Sequence, residues 1–71
     1  MRITYDKKAD AMYIYLKETK VTKTVPVNDR VIVDLDRSGK LVGIEILDAS
    51  SQVSKRSMSN FELNSLVFAA A

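Results

Sequence analysis

Apolar residues recur at alternate positions through the first two-thirds of the chain, and turn-forming residues interrupt them at short intervals. Successive side chains of a β-strand point to opposite faces of a sheet, so this period predicts half-buried strands. Five strands are predicted, at residues 2–5, 11–16, 21–27, 31–36 and 41–47. Because the connections are short, we expect neighbouring strands in sequence to pair antiparallel, as a β meander.

The pairing register of two hairpins follows from the same pattern, because a slip of one residue would send every side chain to the opposite face. The register that gathers the apolar residues on one face, here called the inner face, pairs Ile3 with Ile14, Tyr5 with Met12, Val33 with Ile44 and Leu35 with Val42. The opposite face, called the outer face, then carries Arg2, Thr4, Tyr13, Tyr15, Thr22, Thr24, Ile32, Asp34, Asp36 and Glu45.

The third strand contains Lys23 and Pro26. Proline cannot donate a hydrogen bond to a neighbouring strand, and it is therefore confined to edges and bends of sheets. This strand is accordingly predicted to be bent or to lie at an edge.

Residues 48–71 are the part of the chain left to cover the inner face, since an apolar sheet face needs a second layer. A short helix is predicted over residues 50–56, with Asp48 or Ser50 as its N-cap. Residues 59–62 match a capping box that would open a second helix, whereas residues 66–68 read equally well as a strand.

We therefore expect one domain over residues 1–71, mainly β with some α+β character. A single antiparallel meander sheet of five strands fills residues 1–47, and a short helical or irregular tail, residues 48–71, packs on one face. A core of this size supplies only about 3–5 kcal/mol of net stability, so self-association is a common supplement. A homodimer or a larger homo-oligomer is expected on this ground.

The composition excludes several kinds of chemistry. The chain has no Cys and no His, which removes thiol catalysis, thiolate metal sites and the commonest general base. No nucleophile–base constellation remains, so we expect no enzyme activity and no cofactor. The absence of a signal-like or membrane-spanning run predicts a cytoplasmic address. Net charge is only +2 with dispersed cations, which argues against nucleic acid as a partner.

The stretch DLDRSGKLVGIE spells the spacing of a calcium-binding loop. Such a loop works only between two helices, and here both flanks have the period of strands. Read as a hairpin, the stretch sends Asp34, Asp36 and Glu45 to the outer face, where they do not converge inside a loop. These three acids remain candidates for a weak divalent-metal site on that face.

Five residues are predicted to serve the turns and the backbone rather than chemistry. Asp6 and Asp10 bracket the turn DKKAD, where a carboxylate can accept hydrogen bonds from backbone amides. Asn28 suits a left-handed turn position, and Gly39 supplies the positive φ of a tight hairpin. Gly43 is expected to serve backbone geometry as well.

Tyr13, Tyr15 and Ile32 are the candidates for an interface on the outer face. Tyrosine is common where a protein surface must be both apolar and polar, as at interfaces. The alternative is that β propensity alone placed these residues on an exposed sheet. A second copy or another protein is the expected partner.

The segments ITYDKKADAMYIYL and VIVDLDRSGKLVGIEILDAS resemble a small prokaryotic family catalogued as domain of unknown function 2283. The resemblance covers residues 3–50. It is carried by an aromatic-Asp pair, a second Asp before an aliphatic-Tyr strand, and the pattern D-x-D-x-x-G-x-x-V-G-I-E-I-L-x-A-S. The matching residues are Tyr5, Asp6, Asp10, Tyr13, Asp34, Asp36, Gly39, Gly43, Glu45, Ala49 and Ser50.

The resemblance implies a short β meander followed by a helical or irregular tail, and it implies no established activity. Members sometimes lie beside genes that resemble small ribonuclease-type toxins, which implies an antitoxin-like role in binding a protein toxin. This chain lacks the basic helix or ribbon arm of many DNA-binding antitoxins, so the role would not extend to DNA.

Overall fold

The structure of the protein is a computed structural model, and it describes residues 1–57. Five strands form, close to their predicted positions: β1 Arg2–Asp6, β2 Ala11–Tyr15, β3 Lys23–Pro26, β4 Val31–Leu35 and β5 Leu41–Leu47. They are followed by a short helix, α1 Ala49–Gln52, and by a second short helical stretch at residues 55–57. The expected helix or strand beyond residue 57 lies outside the described residues.

The five strands form one antiparallel sheet in the order β1-β2-β5-β4-β3. This confirms the mainly β fold. The expectation that sequence neighbours pair holds for β1–β2, β3–β4 and β4–β5, but it is wrong for β2 and β3, because β2 pairs with β5 instead. Pro26, which has no N–H to donate, is tolerated at an edge, and β3 lies at one edge of the sheet.

The predicted register is confirmed in the first hairpin, where Ile3 lies opposite Ile14 and Tyr5 opposite Met12. In the β4–β5 hairpin the predicted pair of Val33 with Ile44 is also confirmed.

The predicted pair of Leu35 with Val42 is wrong, because Leu35 lies opposite Leu41 and the register shifts at this point. Val42 is the extra residue of a β-bulge, which an alternating sequence pattern does not reveal. Its carbonyl accepts hydrogen bonds from the amides of Leu16, at 2.8 Å, and Lys17, at 3.3 Å. The bulge leaves Val42 only 3% exposed.

The core cluster lies where α1 meets the inner face. Met12 of β2 and Ala49 of α1 are its buried members, at 7% and 0% exposure. The half-buried residues that pack against them are Ile3, Tyr5, Ile46 and Val53. The helix therefore covers the part of the sheet formed by β1, β2 and the C-terminal end of β5.

Helix α1 is shorter than predicted. It ends before Val53, whose φ of −112° and ψ of 140° are extended, so the helix does not continue over residues 50–56 as one element. Val53 instead packs on the core cluster. Within residues 1–57, no helix has the length and apolar character needed to cross a membrane.

Candidate functional site

The outer face carries an ordered cluster of aromatic and charged side chains on its first two strands. Tyr13 and Tyr15 both point outward from β2, and their ring centroids lie 4.4 Å apart with planes tilted by 53°. The guanidinium of Arg2, on β1, lies over the Tyr15 ring at 4.0 Å from its centroid. A cation over an aromatic face is attracted by the ring quadrupole, so Tyr15 is restrained by Arg2 as well as by its contact with Tyr13.

Tyr13 is fixed in turn by Asp34 of β4. Its hydroxyl donates to Oδ2 of Asp34, while the hydroxyl of Thr24, on β3, donates to Oδ1 at 2.7 Å. Partial burial, the hydrogen bond to Asp34 and the negative charge of that carboxylate together raise the pKa of Tyr13 to about 12, with burial the largest cause. Both oxygens of Asp34 are therefore engaged by side chains of the sheet.

Gly43 explains how Tyr13 reaches Asp34, which lies two strands away. Gly43 sits on β5 between them, opposite Tyr15 on one side and Asp34 on the other. A Cβ placed on Gly43 would lie 2.6 Å from two carbons of the Tyr13 ring, so the ring occupies the space that a side chain would take. Gly43 was expected to serve backbone geometry; it lies inside β5, where its missing side chain admits an aromatic ring.

The three predicted interface residues lie close together on this face. Tyr13 and Ile32 are the direct neighbours of Glu45 on its two sides, and Tyr15 follows on the same face of β2. All four of these side chains are half-buried. The name tyrosine platform is used below for Arg2, Tyr13, Tyr15, Ile32, Asp34 and Glu45.

Asp36 does not belong to the tyrosine platform, although it was predicted on the outer face. It follows β4 and organises the hairpin turn: Oδ1 accepts from the amides of Ser38 and Lys40, both at 2.9 Å, and from the Ser38 hydroxyl at 2.7 Å. Lys17 donates to Oδ2. The hydrogen bond from Lys17 is the largest of several that hold the pKa of Asp36 well below its usual range.

The three candidate metal ligands thus have different structural roles. Asp34 is bound by Tyr13 and Thr24, Asp36 serves a turn, and Glu45 lies beside Tyr13 on the sheet. In the part of the chain that the structure describes, no group of three or more acidic residues is placed to hold a metal ion.

Asp10 was predicted only as a turn residue, but it also binds the first residues of α1. Its backbone is left-handed, with φ 51°, and its carbonyl accepts from the amide of Ala49 at 2.9 Å. Its carboxylate accepts from the Tyr5 hydroxyl at 2.6 Å, from the Ser50 amide at 3.1 Å and from the Ser50 hydroxyl at 2.7 Å. These hydrogen bonds, of which the one from Tyr5 has the largest effect, lower the pKa of Asp10.

Asp10 therefore caps α1 from a turn 40 residues away in sequence. The residue at the N-cap position, Asp48, has φ 53° and makes no side-chain cap bond, contrary to the expectation that Asp48 or Ser50 would cap the helix. The only signal in the sequence was the presence of Tyr5, Asp10 and Ser50 in one motif; no local pattern predicts a cap supplied from another element.

The remaining predicted turn residues lie in or directly beside the connections between strands. Asp6 accepts from the amides of Lys8 and Ala9, at 2.9 and 3.2 Å. Asn28 accepts from the amides of residues 30 and 31, at 2.8 and 2.9 Å. The left-handed backbone predicted for Asn28 is wrong, since among the described residues other than glycine only Asp10 and Asp48 have a positive φ. Gly39 has φ 83°, in the region that favours glycine.

These features define a small antiparallel β-sheet protein whose motif residues hold turns, a helix and an outer-face cluster. Residues 2–50 match the model of a family described as "Protein of unknown function (DUF2283)", and the chain belongs to this family. The resemblance noted in the sequence is thereby confirmed.

One curated relative is an uncharacterised protein of Methanocaldococcus jannaschii, 40% identical over 50 residues. The match covers 70% of this chain and 42% of the relative, so the chain spans less than half of the relative's length. None of the solved structures matches the chain.

Proposed function

We propose that the protein is a non-enzymatic interaction module that binds another protein chain, either a second copy or a different protein, on its tyrosine platform. The observation that carries the proposal is the fixed geometry of Tyr13 and Tyr15, which are held by Asp34 and Arg2. Tyrosine and arginine are enriched among the residues that dominate binding energy at interfaces.

The fixed geometry matters because binding costs about 0.5–1.5 kcal/mol for each flexible side chain that it immobilises. The Tyr13 hydroxyl and the Tyr15 ring already have partners within the sheet, so a docking chain would find their positions set. Ile32 adds an aliphatic surface two strands away, and Glu45 lies between it and Tyr13. The platform thus combines an apolar centre with charged groups, as interfaces do.

This role is compatible with binding a small toxin as an antitoxin does, which would be one specialised form of it. The alternative of a weak divalent-metal site draws less support, because Asp34 and Asp36 already accept hydrogen bonds with both carboxylate oxygens.

Replacing two residues of the platform tests the proposal while leaving the Tyr13–Asp34 bond in place. We expect the double variant Tyr15→Ser, Ile32→Ser to keep its circular dichroism spectrum but to lose the chains that the wild type retains from a lysate of its native host. The toxin form predicts that these chains include the product of a neighbouring gene. Val27→Ser, at a residue 62% exposed beyond the end of β3, is the matched control.

Mass spectrometry of the retained chains and light scattering of the purified protein provide the measurement. A wild type that retains no chain and stays monomeric would overturn the proposal. If the double variant retained the same chains as Val27→Ser does, the assignment of binding to the tyrosine platform would be overturned.

A further inference from the structure

The two edges of the sheet differ in how they resist pairing with another chain. Natural proteins protect exposed strand edges with proline, lysine and short strands. The edge strand β3 has four residues, begins with the exposed Lys23 and ends with Pro26. The other edge strand, β1, contains neither residue type and has five residues, of which all but Asp6 are half-buried. Among the described strands, β1 is therefore the edge without such protection.

The backbone of β1 can be oriented from the hydrogen bonds of β2. The amide of Leu16, next to the end of β2, donates to Val42 of β5. Because successive residues of a strand direct their backbone groups to opposite sides, Ile14 bonds β5 whereas Tyr13 bonds β1. Thr4, opposite Tyr13, thus bonds β2, and the residues before and after Thr4 direct their backbone groups toward the edge.

The sequence of β1, RITYD, is complementary to itself in antiparallel orientation. With Thr4 opposite Thr4 of a second copy, Arg2 of each chain lies opposite Asp6 of the other. Cross-strand neighbours have Cβ atoms about 4.5–5.5 Å apart, close enough for the ion pair. Arg2 and Asp6 lie on the same face of the strand, since they are separated by an even number of residues.

Arg2 supplies a second observation that favours this register. Within residues 1–57, its Nε is buried and has no hydrogen-bond acceptor. A carboxylate from a second copy would bring an acceptor to the guanidinium, which can remain stacked on Tyr15. If the pairing were shifted by two residues in one direction, Arg2 would lie opposite Thr4. If it were shifted by two residues in the other direction, Arg2 would lie beyond the end of the partner strand.

We propose that two copies of the chain pair antiparallel through β1, about a two-fold axis at Thr4, to form one continuous ten-stranded sheet. This inference goes beyond the proposed function, because it places a second copy on the β1 edge, a surface that shares only Arg2 with the tyrosine platform. Because the axis is perpendicular to the sheet, the outer faces of both copies lie on the same side. Two tyrosine platforms then form one surface.

A single cysteine tests the axis directly, because the chain has no native cysteine. Directly opposite residues that do not exchange backbone hydrogen bonds have Cα atoms about 4.5 Å apart, within the range of a disulfide, about 4.4–6.8 Å. We expect the full-length variant Thr4→Cys to form a disulfide-linked dimer under mild oxidation. Lys23→Cys, at the protected edge, is the matched control and should remain largely unlinked.

Charge complementation tests the register. Arg2→Glu and Asp6→Lys should each weaken the dimer, because each places like charges opposite one another. An equimolar mixture of the two variants should restore a dimer, now mixed, since each pair regains opposite charges. Native mass spectrometry distinguishes the mixed dimer from the two homodimers.

A wild type of monomeric mass in light scattering would overturn the inference, whether solvent or residues 58–71 occupy the edge. Equal cross-linking of Thr4→Cys and Lys23→Cys would overturn it as well, and so would a mixture that is no more dimeric than either variant alone. Loss of retained partner chains in the double variant Tyr15→Ser, Ile32→Ser, with the β1 dimer absent, would leave the proposed function standing without this inference.

Discussion

Asp34 accepts hydrogen bonds from side chains of two other strands, Thr24 on the adjacent β3 and Tyr13 on β2, which lies beyond β5. The second bond requires the intervening residue, Gly43, to have no side chain. At the residue scale, the stretch DLDRSGKLVGIE, which spells the spacing of a calcium-binding loop, therefore has another role. It supplies both the carboxylate of Asp34 and the glycine, Gly43, over which the Tyr13 ring reaches that carboxylate. The structural role of the aspartates was predictable from the sequence. The hydrogen bond from Tyr13 to Asp34 was not, because it depends on the pairing of β2 with β5, which the sequence pattern did not reveal.

Replacing Gly43 by alanine should displace the Tyr13 ring and break its bond to Asp34. Forcing a methyl group into such a contact and losing one hydrogen bond should together cost about 1–2 kcal/mol of unfolding free energy. The pKa of Tyr13 should fall from about 12 toward the ordinary tyrosine value of 10.0. Urea unfolding and spectrophotometric tyrosine titration measure both effects.

The matched control repeats Gly43→Ala in a Tyr13→Ala background, where no ring remains to be displaced. We expect the added cost to be much smaller there. An equal cost in both backgrounds would show that Gly43 serves another purpose. In the wild type, the raised pKa of Tyr13 gives stability that is present below the ordinary tyrosine pKa and lost as pH rises through about 12.

Asp10→Asn should lower stability at neutral pH, because an amide oxygen cannot replace both carboxylate oxygens in accepting from Tyr5 and Ser50. The pKa of Asp10 is lowered in the folded state. Its contribution is therefore present above the pKa of the unfolded chain and is lost as pH falls through the folded value. The variant should show a shallower loss of melting temperature in acid.

Asp36 titrates with the same sign, so part of the acid dependence should remain in Asp10→Asn. The control is Asp29→Asn, at an exposed residue between β3 and β4, which should melt as the wild type does. A variant at Asp10 that melts identically to the wild type from neutral pH into acid would contradict the capping role.

At the scale of elements, α1 shows how a helix of four residues is maintained by its surroundings. Isolated helices shorter than about 12–15 residues are marginal in water. Asp10 caps this one, Ala49 is buried against Met12, and Val53 packs behind it. The sequence predicted a helix near this position, but it did not predict the early end or the distant cap.

Strand positions and hairpin registers were predictable because they depend on local alternation, as in the Ile3–Ile14 pair. The pairing of β2 with β5 and the bulge at Val42 were not, since both depend on contacts between distant segments. On the outer face, the sequence identified Tyr13, Tyr15 and Ile32 as candidates. The contacts of Tyr13 and Tyr15 with Asp34 and Arg2 required the structure.

Met12→Ala should be one of the most destabilising single substitutions in the described sheet. Met12 is only 7% exposed and forms the centre of the contact between β2 and α1. Truncating a buried methionine to alanine typically costs about 2–5 kcal/mol. Leu41→Ala, at a residue 43% exposed, should cost much less. Urea unfolding of the two variants makes the comparison, and similar costs would place the core elsewhere.

At the scale of the whole molecule, a small core and a broad sheet leave much of the surface to interactions. Met12, Val42 and Ala49 are the buried hydrophobic residues in the described part of the chain. Chains of this length often gain stability from association. The tyrosine platform and the β1 edge are two surfaces through which association could add stability, and they can be tested separately.

The central claim, that the tyrosine platform contacts another protein chain, is tested most directly by photo-crosslinking from it. A benzophenone amino acid replaces Tyr15 in one variant and Val27 in the control, and both proteins are irradiated in cells of the native host. The account predicts a discrete adduct from position 15, to a second copy or to one identified partner, and little from position 27. No adduct from position 15, or the same scattered adducts from both positions, would contradict it.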